Sequence, residues 1–192
     1  MTTGEPPAAP ASRGKQFISS LLAIPAHERS RALMAMRSSL HYPDRMAPAA
    51  AAYVLPALPL GIHQEGTGPY YTAAALYALW ETGSRGRRGG YPASVGGALR
   101  TLKAKGEDIA AEAMARDLLR LRANQAHRVL QRAVTHFAHA GISLNWARLT
   151  DDLINPDWGK VQRSWAYDYY YVSRTDRTTA QPSTASVDSE KE

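Results

Sequence analysis

The chain has 192 residues with 23 Lys and Arg against 17 Asp and Glu, a formal net charge of +6, and no cysteine. That length suits one domain of ordinary size. The missing cysteines exclude a disulfide scaffold, thiol catalysis and Cys-ligated zinc or iron–sulfur centres. Although 44% of residues are nominally apolar, Leu, Ile, Val and Phe together number only 33, and alanine fills much of the remainder. Ten Tyr and four Trp make up part of the deficit. A thin core of alanine and aromatic rings favours closely packed helices, so the expected fold is all-α, a single compact domain of about seven to nine helices.

Both ends read as disordered tails: 1–14 is rich in Pro, Ala, Ser and Thr, and 174–192 is polar with an acidic finish. The domain is expected at 15–173. The first helix spans about 15–24, with Phe17, Leu21 and Ile24 on one side and Pro25 as its stop. A second follows over about 26–40, turning Leu33, Met36 and Leu40 inward before Tyr42-Pro43. Residues 47–58 form a short Ala-rich helix broken at Pro56, and a polar loop leads to PYYTAAALYALWETG, a helix with Ala73, Leu76 or Tyr77 and Trp80 on one face. No alternating run of strand length occurs. The loop GSRGRRGGYP comes next, and its glycines lack the strand–loop–helix setting and Lys-Ser/Thr ending of a phosphate-binding loop.

After SVGGALRTLKAK, the acidic pair Glu107-Asp108 marks a helix start, and one long helix is expected to run to Ala140, ended by Gly141; a break near Asn124 would blur angles across it but leave the i, i+4 steps Arg116–Arg120 and Arg128–Arg132. In the last part, Ser143 or Asn145 caps a helix carrying Trp146, Leu149 and Leu153. Pro156 breaks that helix, and Asp157 caps a final one through about Val172. Tyr167, Tyr169, Tyr170 and Tyr171 cannot share one side of it, so some cover core and others lie on the surface or in an interface.

The distribution of charge says more than its sum. Residues 85–132 hold 11 basic side chains and 4 acidic ones, so this quarter of the chain carries +7 and the rest −1. Most of the excess is Arg, whose planar fork suits phosphate oxygens. At about 100° per residue from Arg116, Arg120 falls near 40°, Arg128 near 120° and Arg132 near 160°. Leu118, Leu119, Ala126, Val129, Leu130, Ala133 and Phe137 occupy the opposite arc. Arg122 projects among those apolar positions, which predicts an internal ion pair or hydrogen bonds for it. Arg116, Arg120, Arg128 and Arg132 are therefore the first candidates for phosphate contact; Arg37, Arg100, Lys103 and the loop residues Arg85, Arg87 and Arg88 are the second.

Catalytic arrangements are weaker. His136 and His139 stand three apart on a helix with no third ligand at suitable spacing, which favours an ordinary helix-end pair over a metal site. Asp151, Asp152, Asp157 and Asp168 fall at caps and on helix faces, where surface ion pairing is the simpler reading than a two-metal centre. No cofactor and no metal are expected. No apolar run approaches the length of a membrane span and the opening residues hold no signal-like apolar stretch, so a soluble cytoplasmic protein is expected.

The order of motifs in the C-terminal half carries a resemblance. A Gly-Ala-Leu-Arg segment, the Arg-rich MARDLLRLRANQAHRVLQRAV, then GISLNWARLTDDL and VQRSWAYDYY occur in succession. Leu149-Thr150-Asp151-Asp152-Leu153 and Trp165-Ala166-Tyr167-Asp168-Tyr169-Tyr170 match two segments typical of one family. The chain so resembles the CasB family, the small subunit of the type I-E CRISPR surveillance complex, Cascade, over about residues 15–172. The resemblance implies a non-enzymatic helical subunit, present as two copies beside the other Cascade subunits. It would help hold guide RNA and target DNA and stabilise the displaced strand of the R-loop. Such work needs backbone electrostatics and no base readout, because guide pairing supplies the specificity.

Overall fold

The structure is a computed structural model, and it describes residues 11–41, 47–84 and 89–171. Within them lie nine α-helices and a two-stranded parallel sheet. The tails beyond those bounds and the loop arginines Arg85, Arg87 and Arg88 lie outside the described residues.

Helix α1 (Arg13–Leu22) starts two residues before the expected boundary because the Ser12 hydroxyl accepts from Lys15 N and caps it. Pro25 then does more than stop α1: with no N–H to leave unsatisfied, it stands at the N-cap of α2 (Ala26–Ser38). The alanine run becomes α3 (Pro48–Val54), and Pro56 falls in the 3-10 turn that follows it, Leu55–Ala57.

Helix α4 (Gly68–Ser84) is the hub. Tyr70, Tyr71, every residue from Ala73 to Ala78, and Trp80 are buried, so this helix is enclosed on most of its circumference and not on the single face its sequence suggested. Its alanines permit close approach by α2 and by two later helices, Ala123–Ala140 and Trp146–Ile154, and its aromatics fill what remains. Edge-on ring pairs take the place of large aliphatics: Phe17 on Tyr70 at 5.0 Å, and Tyr77 and Trp80 on Trp146 at 5.5 and 6.1 Å between centroids.

The expectation of no strand fails at one place. β1 (Gly89–Ala93) pairs in parallel with β2 (Ile142–Leu144), with a register irregularity between Gly89↔Ile142 and Ala93↔Leu144. Neither segment is long or regular enough to show a period of two, and β1 carries Gly and Pro. Tertiary bonds hold the pair, since Trp80 Nε1 donates to the Ile142 carbonyl at 2.9 Å and Asn145 N to the Ala93 carbonyl at 2.8 Å.

Helix α5 (Val95–Ala104) follows β1, with the Ser94 hydroxyl accepting from Gly97 N at its start. The expected long helix is two: α6 (Asp108–Arg120) and α7 (Ala123–Ala140). Gly141, at φ 67°, ends α7 in the left-handed conformation that glycine adopts without strain. Asn145 caps α8 (Trp146–Ile154) and Asp157 caps α9 (Trp158–Tyr170).

Candidate nucleic-acid interface

The division between α6 and α7 decides the geometry of the arginines. No Gly or Pro marks it. Leu121 (ψ 153°) and Arg122 (ψ 158°) are extended, which leaves the last carbonyls of α6 without intrahelical partners. Side chains of α9 supply them: Gln162 Nε2 donates to the carbonyls of Leu118 and Leu121, both at 2.9 Å, and Trp158 Nε1 donates to that of Leu121 at 2.9 Å. Helical-wheel angles carried across the break therefore lose their meaning, while the i, i+4 pairs Arg116–Arg120 on α6 and Arg128–Arg132 on α7 remain. Arg122, expected inside, is exposed, because the extended turn carries it off the apolar arc.

The two pairs meet through an ion pair. Arg132 Nη2 lies 2.8 Å from Asp117 Oδ2, so α7 reaches the turn of α6 that lies between Arg116 and Arg120. This contact compensates the charge of Arg132 in part. Arg116, Arg120 and Arg128 are exposed and have no hydrogen-bond or ion-pair partner among the described residues. Their guanidinium groups keep all their donors for an external oxygen. The apolar arc is as expected for Leu118, Ala126, Val129, Leu130, Ala133 and Phe137, which are buried.

The second group of candidates does not join them. Arg37, in the last turn of α2, donates to Thr82 Oγ1 at 3.3 Å. Lys103 pairs with Glu112 at 2.6 Å and ties α5 to α6, and that partner holds the Lys103 pKa above its ordinary value. Arg100 donates to the Tyr171 carbonyl at the chain's last described residue.

Asp151 and Asp152 are tethers between elements, which corrects the expectation of surface ion pairs for those two, while Asp157 and Asp168 do pair with arginines. Asp151 accepts from Gly14 N at 2.8 Å, joining α8 to α1. Asp152 accepts from Trp165 Nε1 at 2.7 Å, and burial raises its pKa. Asp168 accepts from Ser94 Oγ at 2.6 Å and pairs with Arg148 Nη2 at 2.8 Å. Asp157 acts as a cap, with Arg163 at 4.0 Å. His136 pairs with Glu107 at 2.6 Å, while His139 is exposed. Among the described residues no group of three His, Cys, Asp or Glu could hold a metal ion, and no helix is long and apolar enough to cross a membrane.

Among the C-terminal tyrosines, Tyr169 is buried, and burial pushes its hydroxyl pKa up. Tyr167, Tyr170 and Tyr171 are exposed. Tyr167 and Tyr171 stack at 4.5 Å between ring centroids, 14° from parallel.

These features define a class: a compact helical protein that braces two packed helices from behind and presents guanidinium groups on their outer side. Comparison with known proteins gives the particular family. The model of CRISPR-associated protein Cse2 matches residues 32–170. A Cse2-family CRISPR-associated protein from Thermus thermophilus is 30% identical, with 83% of this chain and 98% of that one covered at a TM-score of 0.67. A structure of CasB from Thermus thermophilus is 30% identical over the same shares, at a TM-score of 0.65. CasB from M. ruber, 20% identical, shares the fold at a TM-score of 0.66 over 90% of this chain and all of that one. No curated protein matches the chain. The chain belongs to the Cse2, or CasB, family of CRISPR-associated proteins, as its motifs implied.

Proposed function

We propose that the chain is the small, non-catalytic structural subunit of a type I-E Cascade complex in the cytoplasm, where two copies sit beside the other subunits. In that setting it supports the guide RNA and target strand and stabilises the displaced strand through sequence-independent phosphate contacts. The observation that carries the reading is the set of Arg116, Arg120 and Arg128, exposed and without partners among the described residues on two helices that the Asp117–Arg132 ion pair bridges. Family membership supports it from a second direction.

Three or four phosphate contacts give weak binding to an isolated subunit, with log K against log salt falling at about −0.7 per contact on a single strand. Tight function then comes from tethering within the assembly. The test is Cascade reconstituted with a chain carrying Arg116→Glu, Arg120→Glu and Arg128→Glu. R-loop formation on a matched duplex should weaken while the variant's melting temperature stays near wild type, because exposed side chains away from the core contribute little to stability. Unchanged target affinity would overturn the assignment.

A further inference from the structure

An open groove of about 400 Å³ lies at the other end of α9 from the arginine pairs, between the starts of α5 and α8. Arg100, Arg148, Tyr167, Asp168 and Tyr171 are among its lining residues. With its capped start at Trp158 near α6 and Tyr171 just past its end, α9 separates the two places by about 20 Å of helix.

Three properties single the groove out. Among the described residues its lining carries the guanidinium groups of Arg100 and Arg148 and the carboxylate of Asp168. Arg148 bonds Ser164 Oγ and Asp168 Oδ2 through Nη2 alone, which leaves its Nε and Nη1 donors without a partner among the described residues. The stacked pair Tyr167–Tyr171 stands at its edge with both rings more than half exposed, 58% and 54%. A stacked pair hides one face of each ring and offers the outer faces, a costly display of apolar surface in water unless something covers it. The two tyrosines hold that arrangement because they fall four residues apart at the end of α9, and the Arg100 bond to the Tyr171 carbonyl fixes the second one.

We infer that this groove is a nucleotide subsite, in which one base of a single-stranded nucleic acid stacks on the Tyr167–Tyr171 pair and its phosphate meets Arg100 and Arg148. Base stacking on an aromatic face tolerates any sequence, and guanidinium groups supply the phosphate contact. The Asp168 carboxylate is occupied by Ser94 and by Arg148 Nη2, so it orients Arg148 and leaves the Nε and Nη1 donors for the phosphate. This inference rests on the single-strand binding proposed above and places a second contact point along the strand.

The experiment titrates the full chain into a short oligothymidylate and a matching oligouridylate, each with one internal 2-aminopurine whose fluorescence falls on stacking. Wild type should quench it. Tyr167→Ala with Tyr171→Ala should relieve the quench and weaken binding about tenfold without changing the salt slope, whereas Tyr167→Phe with Tyr171→Phe should behave as wild type. Arg100→Gln should make the slope less steep. Loss of quench on the oligothymidylate assigns the groove to displaced DNA; loss on the oligouridylate assigns it to guide RNA. Quench unchanged in the Ala pair, or lost equally in the Phe pair, overturns the subsite. The triple Glu variant of Arg116, Arg120 and Arg128 separates the two proposals. If it abolishes binding and the Ala pair does nothing, only the groove fails; if neither matters, both fail.

Discussion

Single side chains in this protein do structural work over long sequence distances, and Asp152 shows how. Its carboxylate sits in the α8–α9 junction, bonded to Trp165 Nε1. Burial raises its pKa, more than the Trp165 bond and the Arg148 charge lower it. An acid whose folded pKa lies above the unfolded one binds its proton more tightly when folded. Stability therefore falls as pH rises through the window between the two, and it is regained below the unfolded value. Asp152→Asn keeps an acceptor for Trp165 and removes the titration. In urea unfolding from acid to neutral pH, the wild-type midpoint should gain on that of the Asn variant as pH falls; a pH-independent difference would refute it. The sequence placed Asp152 on a helix and stopped there, because the partner that makes it a tether is 13 residues away on another helix.

At the scale of elements, two close approaches set the architecture. Gly96 of α5 lies against α9, where a Cβ would collide with the carbonyl oxygen of Trp165. Helix α5 can lie this near α9 only because position 96 has no side chain. Gly96→Ala must push them apart, and a loss of about 3 kcal/mol is expected in chemical denaturation; a shift under about 1 kcal/mol would show that α9 yields easily. The second approach is α9 on the end of α6. Gln162→Ala takes the donor from the Leu118 carbonyl and leaves that of Leu121 to Trp158 Nε1 alone, so about 1–3 kcal/mol should be lost. Amide exchange should rise at 121–124 and little elsewhere, and uniform acceleration would deny the local role. Here the limits of sequence reading are physical. Caps by Asn145 and Asp157 and the end at Gly141 were legible, since each acts on its own neighbours. The α6–α7 break was legible only as an option near Asn124 and falls at 121–122, because it is stabilised by bonds from Trp158 and Gln162 and not by a breaker residue. For the same reason the β1–β2 pair escaped notice.

Over the whole molecule, the net charge of +6 matters less than where it goes uncompensated. The wheel selected Arg116, Arg120, Arg128 and Arg132 together; what it could not see is which of them the fold engages. Arg132 is engaged by Asp117, with 51% and 46% of the two side chains exposed, so this pair adds little stability but neutralises one cation beside Arg116 and Arg120. If the face binds phosphate as proposed, Asp117 sets its strength. Asp117→Asn removes an anion from the middle of it and releases Arg132 for phosphate. Binding to single-stranded DNA should become tighter at low salt, and the slope of log K against log salt should steepen by about 0.7, with little change in melting temperature. Arg132→Gln in the wild-type background should flatten the slope by less than Arg128→Gln does, because Arg132 is already partly spent on Asp117. In the Asp117→Asn background the two substitutions should become equal. A double-mutant cycle read in salt slopes checks this directly, since only residues that share a partner depart from additivity. Tighter binding without a change of slope would mean that Asp117 acts through the fold and not through the charge it cancels, and the arginine face would then have to be redrawn without Arg132.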